Sequence, residues 1–272
     1  MITSSSNQQL KYVTSLMKKA KARREAGLFV VEGPKMYGEL PAGWLKRTYV
    51  SEHFLREADA GLMLAGREYE VVSDGAFRGL SDTQTPQGIL ALASMPSYRL
   101  DDLLRGKETH LLILEGIQDP GNLGTMLRTG EGAGITGIII SRDTVDLFNP
   151  KTIRSTMGSI YRVPFIIAED LIEIIRKIKE KGVKVYAAHL KGSVCYDELS
   201  YCGATAFLIG NEGNGLTDDA AAEADARIHI PMEGAVESLN AAVSASILMY
   251  EAIRQRRLRN DSSTGGSYEN LV

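Results

Sequence analysis

The fold this sequence predicts is α/β: a parallel-sheet, Rossmann-like domain preceded by a smaller α/β module. Three observations carry that reading. From about residue 110 onward, short apolar runs alternate with amphipathic helical stretches, the pattern of buried strands in a parallel sheet covered on both faces. Three of those runs stop at turns rich in glycine and amides: DPGNLGTMLRTGEGAG (119–134), FLIGNEGNGL (207–216) and IPMEGAVESLNAAVSAS (230–246). Sites of α/β proteins lie at such carboxyl ends of strands. Finally, the pattern breaks at Pro96, Ser97 and Tyr98, before the polar stretch RLDDLLRGKETH. The division that follows is a module over 1–96, a linker over 97–109, the main domain over 110–259 and a disordered tail over 260–272.

The elements follow in order. A basic helix is expected over 7–26, with short strands at 28–31, 48–50, 69–72 and 88–93, which makes a module of ordinary domain size. In the main domain the expected strands are 111–114, 137–140, 164–167, 183–188, 205–209 and 227–230. Helices are expected at 123–133, 150–157, 169–181, 217–224 and 239–259. The 169–181 stretch puts Leu171, Ile172, Ile175 and Ile178 on one face and charges on the other.

Composition narrows the function. With 272 residues, 44% of them apolar, the chain can bury a substantial core. A formal net charge of −3 means that any polyanion must be met by a local basic patch. No apolar run approaches the roughly 20 residues that span a bilayer, and the N-terminus lacks a signal-peptide core, so a cytoplasmic protein is expected. Cys195, Cys202 and His189 match no zinc spacing, and the thiols read as structural; no metal is expected.

The turns suggest positioning chemistry rather than hydrolysis, since their polar complement centres on Arg128, Glu212 and amides. Pro120 and Gly121 form the first turn, and Asn122 is placed to cap a helix beginning at Leu123. Gly130–Gly134 (GEGAG) imitates a dinucleotide fingerprint, but it closes a helix instead of opening one. In the second turn, three glycines let the backbone approach a ligand closely around Glu212. In the third, Pro231 stops the strand, and Ser238 or a neighbour caps a long helix whose start, Ala241–Ser246, is small enough for close packing.

In that order and spacing, the three turns resemble motifs one, two and three of the TrmH/SpoU class of SPOUT methyltransferases. KTIRSTMGSIYRVP (151–164) is also typical of it. LFVVEGPKMYGEL and SDTQTPQGILALA resemble, more loosely, the ribosomal-protein-like RNA-binding module of that family. The resemblance is strong over 111–257. It implies methylation of a ribose 2′-OH of RNA with S-adenosylmethionine, a C-terminal trefoil knot with loops over 210–216 and 230–240, and a homodimer with motif one and the last helix in the interface. It further implies catalytic or nearby polar roles for Arg128, Asn122, Glu212, Ser238 and Asn240. Cofactor contacts fall on Gly210, Asn211, Glu212, Gly213, Ile230, Pro231, Met232, Ser238 and Leu239.

An in-line displacement by the 2′-oxygen on a sulfonium methyl requires alignment and an outlet for a proton. The resemblance implies that Arg128 activates the 2′-OH; since a guanidinium stays protonated, the role expected here is to bind the flanking phosphate and stabilise developing alkoxide while the proton leaves to water or phosphate. RNA affinity should come mainly from phosphate contacts. The candidates are Lys11, Lys18, Lys19, Lys21, Arg23 and Arg24 on the first helix, with Arg154; the Arg254, Arg256, Arg257 and Arg259 cluster stays open between RNA contact and a solvated helix end. The separate N-terminal module favours ribosomal RNA over tRNA. The alternatives are a tRNA substrate, an inactive RNA-binding protein of the same fold, and a Rossmann dinucleotide enzyme, which the misplaced GEGAG disfavours.

Overall fold

The computed structural model describes residues 1–81, 83–191 and 194–263. They form two compact units: Met1–Ser97 with Val145–Arg162, and Tyr98–Thr144 with the chain from Val163 on.

The first unit opens with α1 (Gln8–Lys18), capped by Asn7, whose side chain accepts the Gln9 N–H at 2.8 Å. α2 (Ala20–Ala26) follows. The single helix expected over 7–26 is therefore broken, at an extended Lys19 (φ −120°, ψ 112°). Arg23 accounts for the break. Its guanidinium turns inward, donates to the carbonyls of Leu16 at 2.6 Å and Met17 at 3.0 Å, and pairs with Asp146. The last carbonyls of α1 thus receive a side-chain donor in place of a further helical turn. Next come β1 (Leu28–Glu32), α3 (Pro34–Glu39), β2 (Leu45–Ser51), α4 (Ala60–Leu64), β3 (Glu70–Val72), α5 (Asp74–Arg78) and β4 (Ile89–Ser94). All four expected strands are present, in the order β1-β4-β2-β3, with β4 antiparallel to β1 and β2. α1 lays Leu10, Val13, Leu16 and Met17 over Val30, Tyr49, Leu90 and Leu92.

The second unit starts earlier than the sequence suggested. The stretch expected to be a linker, 97–109, carries α6 (Leu100–Leu103), and Leu103 is fully buried where Gly137 leaves room for its side chain. β5 (His110–Leu114), α7 (Pro120–Gly132) and β6 (Gly137–Ser141) follow. The chain then gives α8 (Pro150–Thr156) and its flanks to the first unit. There Phe148 stacks on Phe29 with ring centroids 5.0 Å apart, and the Tyr161 hydroxyl donates to the Met36 carbonyl at 3.1 Å. This stretch is expected from the sequence in the main domain, but its partners lie more than 100 residues back, beyond any local pattern.

The remaining elements are β7 (Phe165–Ala168), α9 (Leu171–Glu180), β8 (Lys184–Ala188), β9 (Val194–Cys195), β10 (Thr205–Ile209), α10 (Asp218–Ala222), β11 (Ala226–His229) and α11 (Ala241–Ser263). Seven strands pair in parallel in the order β7-β6-β5-β10-β8-β11-β9. Leu111, Ile113, Ile139, Val185 and Leu208 meet Leu171, Ile175 and Ile178 of α9 and Ala220 and Ala221 of α10. Their neighbours along the strands point the other way. β5, the first strand of the sheet in the chain, lies inside it, with β6 and β7 to one side and β10 to the other. The strand order therefore reverses between β5 and β10, and a crevice opens beyond their carboxyl ends. Residues 260–263, expected to be disordered, end α11; the rest of that expected tail lies outside the described residues. Among the described residues no helix is long and apolar enough to cross a membrane.

Candidate active site

The crevice is built by the loops after β5 and β10, and Glu212 ties them together. Its carboxylate accepts the backbone N–H of Gln118 at 3.0 Å and of Asp119 at 3.2 Å, and the Asn122 side-chain amide at 2.9 Å. Burial opposes ionisation of Glu212, but these donors outweigh it and hold the carboxyl below its ordinary range. A charge placed beside the N-terminus of α7 also suits the helix dipole.

Asn122 is not the helix cap that the sequence suggested. Asp119 caps α7, accepting the Asn122 N–H at 2.8 Å. The Asn122 side chain is thereby free to bridge two loops: its amide reaches Glu212, and its oxygen accepts from Asn240 at 3.0 Å. Asn240 in turn caps α11 through Ala242 and Val243 at 2.8 and 3.3 Å, the role that had been sought at Ser238 or a neighbour. In the sheet, β8 and β10 lie between β11 and β5. The loop from Ile230 to Asn240 must therefore pass over their carboxyl ends to bring Asn240 to Asn122.

Glycine is required where the 210–216 loop closes on itself. A Cβ on Gly210 would fall well inside contact distance of the Gly215 and Leu216 backbone. Asn211 holds the same loop: its amide donates to the Gly116 carbonyl at 2.7 Å, and its oxygen accepts from Gly213 and Asn214. Beneath it Ser141 accepts the Gly116 N–H at 2.9 Å, Thr144 accepts that of Ile117 at 3.2 Å, and Glu115 receives the Thr217 N–H and hydroxyl. Gln118, Asp119, Glu115, Ser141 and Thr217 therefore belong to the site as well, beyond the residues expected from the sequence. A signal existed for two of them: Asp119 stands directly before the proline of PGN, and Thr217 directly before DDA, both cap positions.

The structure thus brings Asn122, Glu212, Asn240, Gly210, Asn211 and Gly213 together. Ile230, Met232 and Leu239 are half-buried in the loop that arches past them, and Pro231 and Ser238 are exposed there. Ser238 makes no hydrogen bond among the described residues, and neither does any backbone group from 231 to 239. Most of these residues are exposed, so water pairs their backbone groups and a ligand could take its place. A loop that offers them beside the tight 210–216 turn fits a cofactor held mainly through the main chain. Arg128 does not join this group. Six residues past Asn122, it lies about 240° around the helix, is exposed, and bonds to none of these residues.

Of the cations expected to meet RNA, Lys11, Lys18, Lys19 and Arg24 are exposed, and Lys21 pairs with Glu25 at 3.8 Å. Arg23 is only 2% exposed and committed to Asp146. Arg154 is half-buried at 3.8 Å from Glu32. In the C-terminal cluster, Arg254 pairs with Glu251, while Arg256 and Arg259 bond to backbone carbonyls. Cys195 and Cys202 are free thiols.

Comparison with known proteins decides the family. Residues 109–250 match the model of the SpoU rRNA Methylase family, and residues 7–91 that of the MRM3-like substrate binding domain. The chain is 34% identical to the 23S rRNA (guanosine(2553)-2′-O)-methyltransferase RlmP of Bacillus subtilis over 92% of its own length and 97% of that protein. The chain belongs to the SpoU rRNA methylase family. The crystal structure of an AdoMet-bound rRNA methyltransferase from Sinorhizobium meliloti is 32% identical and superposes with a TM-score of 0.82 over 93% of this chain and 97% of that one. AviRb of Streptomyces viridochromogenes, in complex with AdoMet, shares the fold at a TM-score of 0.85 and 24% identity, covering 92% of this chain and 98% of that one. The assignment to the TrmH/SpoU class of RNA 2′-O-methyltransferases, made from the three turns, holds with family models covering both halves.

Proposed function

We propose that this chain methylates a ribose 2′-OH of ribosomal RNA, 23S rRNA in particular, using S-adenosylmethionine. The observation that carries the reading is the Glu212–Asn122–Asn240 bridge, which gathers all three family turns at the strand-order reversal. The relatives named as 23S rRNA 2′-O-methyltransferases support the substrate class. The bound cofactor supplies a methyl group on a positively charged sulfur, already activated for displacement. The protein's task is then alignment. The 210–213 and 230–239 loops would hold the cofactor by their backbone, and Glu212 fixes the first of them against α7. A C-terminal trefoil knot over 210–216 and 230–240 accords with the passage of the 230–240 loop over β8 and β10 to Asn122.

Arg128 would act from outside its own crevice, in a homodimer, by binding the phosphate next to the target ribose and stabilising developing negative charge on the 2′-oxygen. α7 and α11 pack together and leave Val243 46% and Tyr250 51% exposed, with Tyr250 beside Gly132. Exposed apolar residues on α11, beside α7, suit a second copy of the chain. The reaction takes place in the cytoplasm, where rRNA is made in bacteria such as those of the relatives.

Calorimetry with S-adenosylmethionine and mapping of 2′-O-methyl groups in total RNA, with and without the gene, test the proposal. Saturable binding with loss of one 23S site is expected. A lost tRNA site would change the substrate, and no cofactor binding would leave an RNA-binding protein. Arg128→Lys should cut turnover with little change in cofactor affinity. Full rescue by lysine at high pH, with unchanged RNA affinity, would rule out phosphate clamping.

A further inference from the structure

The first unit contains a cleft of about 350 Å³ that none of the three turns touches, at the low end of the roughly 300–1,000 Å³ typical of ligand sites. α1 covers the four-stranded sheet only in part. Beyond Leu10, its N-terminal turns stand over an apolar floor of Leu28 and Leu92 without filling the space. Across the opening, the register of β2 slips between Leu45 and Arg47, which brings Lys46 and Arg47 to the rim. Gln8, Gln9 and Tyr12 form the α1 side, four residues or fewer apart and so on one face of the helix.

Three features point to one occupant. Tyr12 is 44% exposed, so its ring is open to stacking. Lys46 and Arg47 are exposed and have no ion pair among the described residues, and the exposed Lys11 and Lys18 of α1, with Lys19 directly after it, add positive charge to the unit. Gln9 Oε1 is buried without a hydrogen-bond partner among the described residues, an acceptor that a turn of this cleft-lining side chain would present to a donor. An aromatic ring, flanking cations and a free acceptor over an apolar floor match a nucleotide that is unstacked from its strand, with its base on the ring and its phosphates on the cations.

We infer that this cleft captures a single unpaired nucleobase of the substrate RNA, with Tyr12 as the stacking platform, the buried Gln9 oxygen as acceptor for a base N–H, and Lys46 and Arg47 on the adjoining phosphates. This rests on the reading of the chain as an RNA-modifying enzyme. It adds that the first unit recognises single-stranded RNA at a defined point, where a basic surface alone would bind any phosphate backbone.

The test is fluorescence anisotropy of the full-length protein with a labelled single-stranded 12-mer of uridine, compared with an RNA duplex of the same length. Tyr12→Ala should weaken single-strand binding roughly 5- to 100-fold, the effect of one lost base stack, while Tyr12→Phe binds like the parent and duplex affinity changes little. Lys46→Ala with Arg47→Ala should lower the salt slope by about 1.4, as expected for two single-strand phosphate contacts. A 5-iodouridine in the strand should photo-cross-link to Tyr12. Unchanged single-strand affinity in Tyr12→Ala, an equal loss on duplex, or an equal loss in Tyr12→Phe overturns the inference. Calorimetry with S-adenosylmethionine on the same preparations reads the catalytic assignment separately, because the cleft and the crevice share no residue.

Discussion

The two edges of the seven-stranded sheet solve the same problem with opposite charges. Strands end in backbone groups that have lost their ladder partners, and these must be paired or wetted. At the carboxyl edge the Glu212 carboxylate collects two backbone N–H groups and an amide. At the amino edge the Arg256 guanidinium collects the carbonyls of Tyr201, Glu108, Thr109 and Gly203 at 2.8–3.3 Å. At the amino edge these four carbonyls are matched from within the chain, and His110 beside them is fully buried, with neither ring nitrogen hydrogen-bonded among the described residues. The carboxyl edge is left open, with the 231–239 backbone unpaired among the described residues. A closed edge contributes stability, whereas an open edge with fixed donors is a place to bind.

The largest effect should come from disturbing the open edge itself. Gly210→Ala forces a Cβ into the Gly215 and Leu216 backbone, with an overpacking cost on the order of 1–3 kcal/mol. Cofactor binding should weaken at least about 100-fold by calorimetry, with a lower Tm; unchanged affinity would show that this turn does not shape the site. Next, Arg256→Met removes the donor from four carbonyls. It should cost about 2–4 kcal/mol in denaturant melts and leave the S-adenosylmethionine Kd within about twofold.

Glu212→Gln should do the reverse: turnover falls on the order of 10- to 100-fold, about 1.4–2.7 kcal/mol in the barrier, with little change in Tm. If the two variants exchanged these signatures, the contrast between the edges would collapse. The effect that appears only away from neutral pH is a pH slope. Burial first, then the charge of Arg256, push the His110 imidazole down to about 3, against roughly 6.5 in an unfolded chain. Keeping it neutral therefore contributes fully above pH of about 6.5, and that contribution is lost as pH falls towards 3. His110→Leu should flatten the stability–pH curve between about 6 and 4 by up to 1.4 kcal/mol per pH unit, as read from urea midpoints.

Much of the fold was legible because buried parallel strands read as uninterrupted apolar runs. TAFLI was placed at Thr205–Ile209, the bounds the structure shows. The three turns were legible because glycine, proline and amides mark strand ends locally. Where a side chain serves a distant partner, sequence reading went astray. Asn122 looks like a cap from its neighbours, yet its partners are 90 and 118 residues away. Arg23 looks like one more cation on a basic helix, yet Asp146, 123 residues on, draws it inside. Arg256 sits among arginines that resemble a solvated helix end, and only the folded chain shows which carbonyls it meets.

The sequence by itself determined the strand and helix alternation, the three turns and the kinship they announce, since each is written in short-range periodicity and turn chemistry. The tertiary structure alone decided which side chain caps and which bridges, which arginine is buried, that residues 145–162 belong with the first unit, and that a cleft stays open between α1 and its sheet. Those outcomes depend on the desolvation and pairing of groups far apart in the chain. Such energies exist only once the chain has closed on itself, so no local pattern can report them.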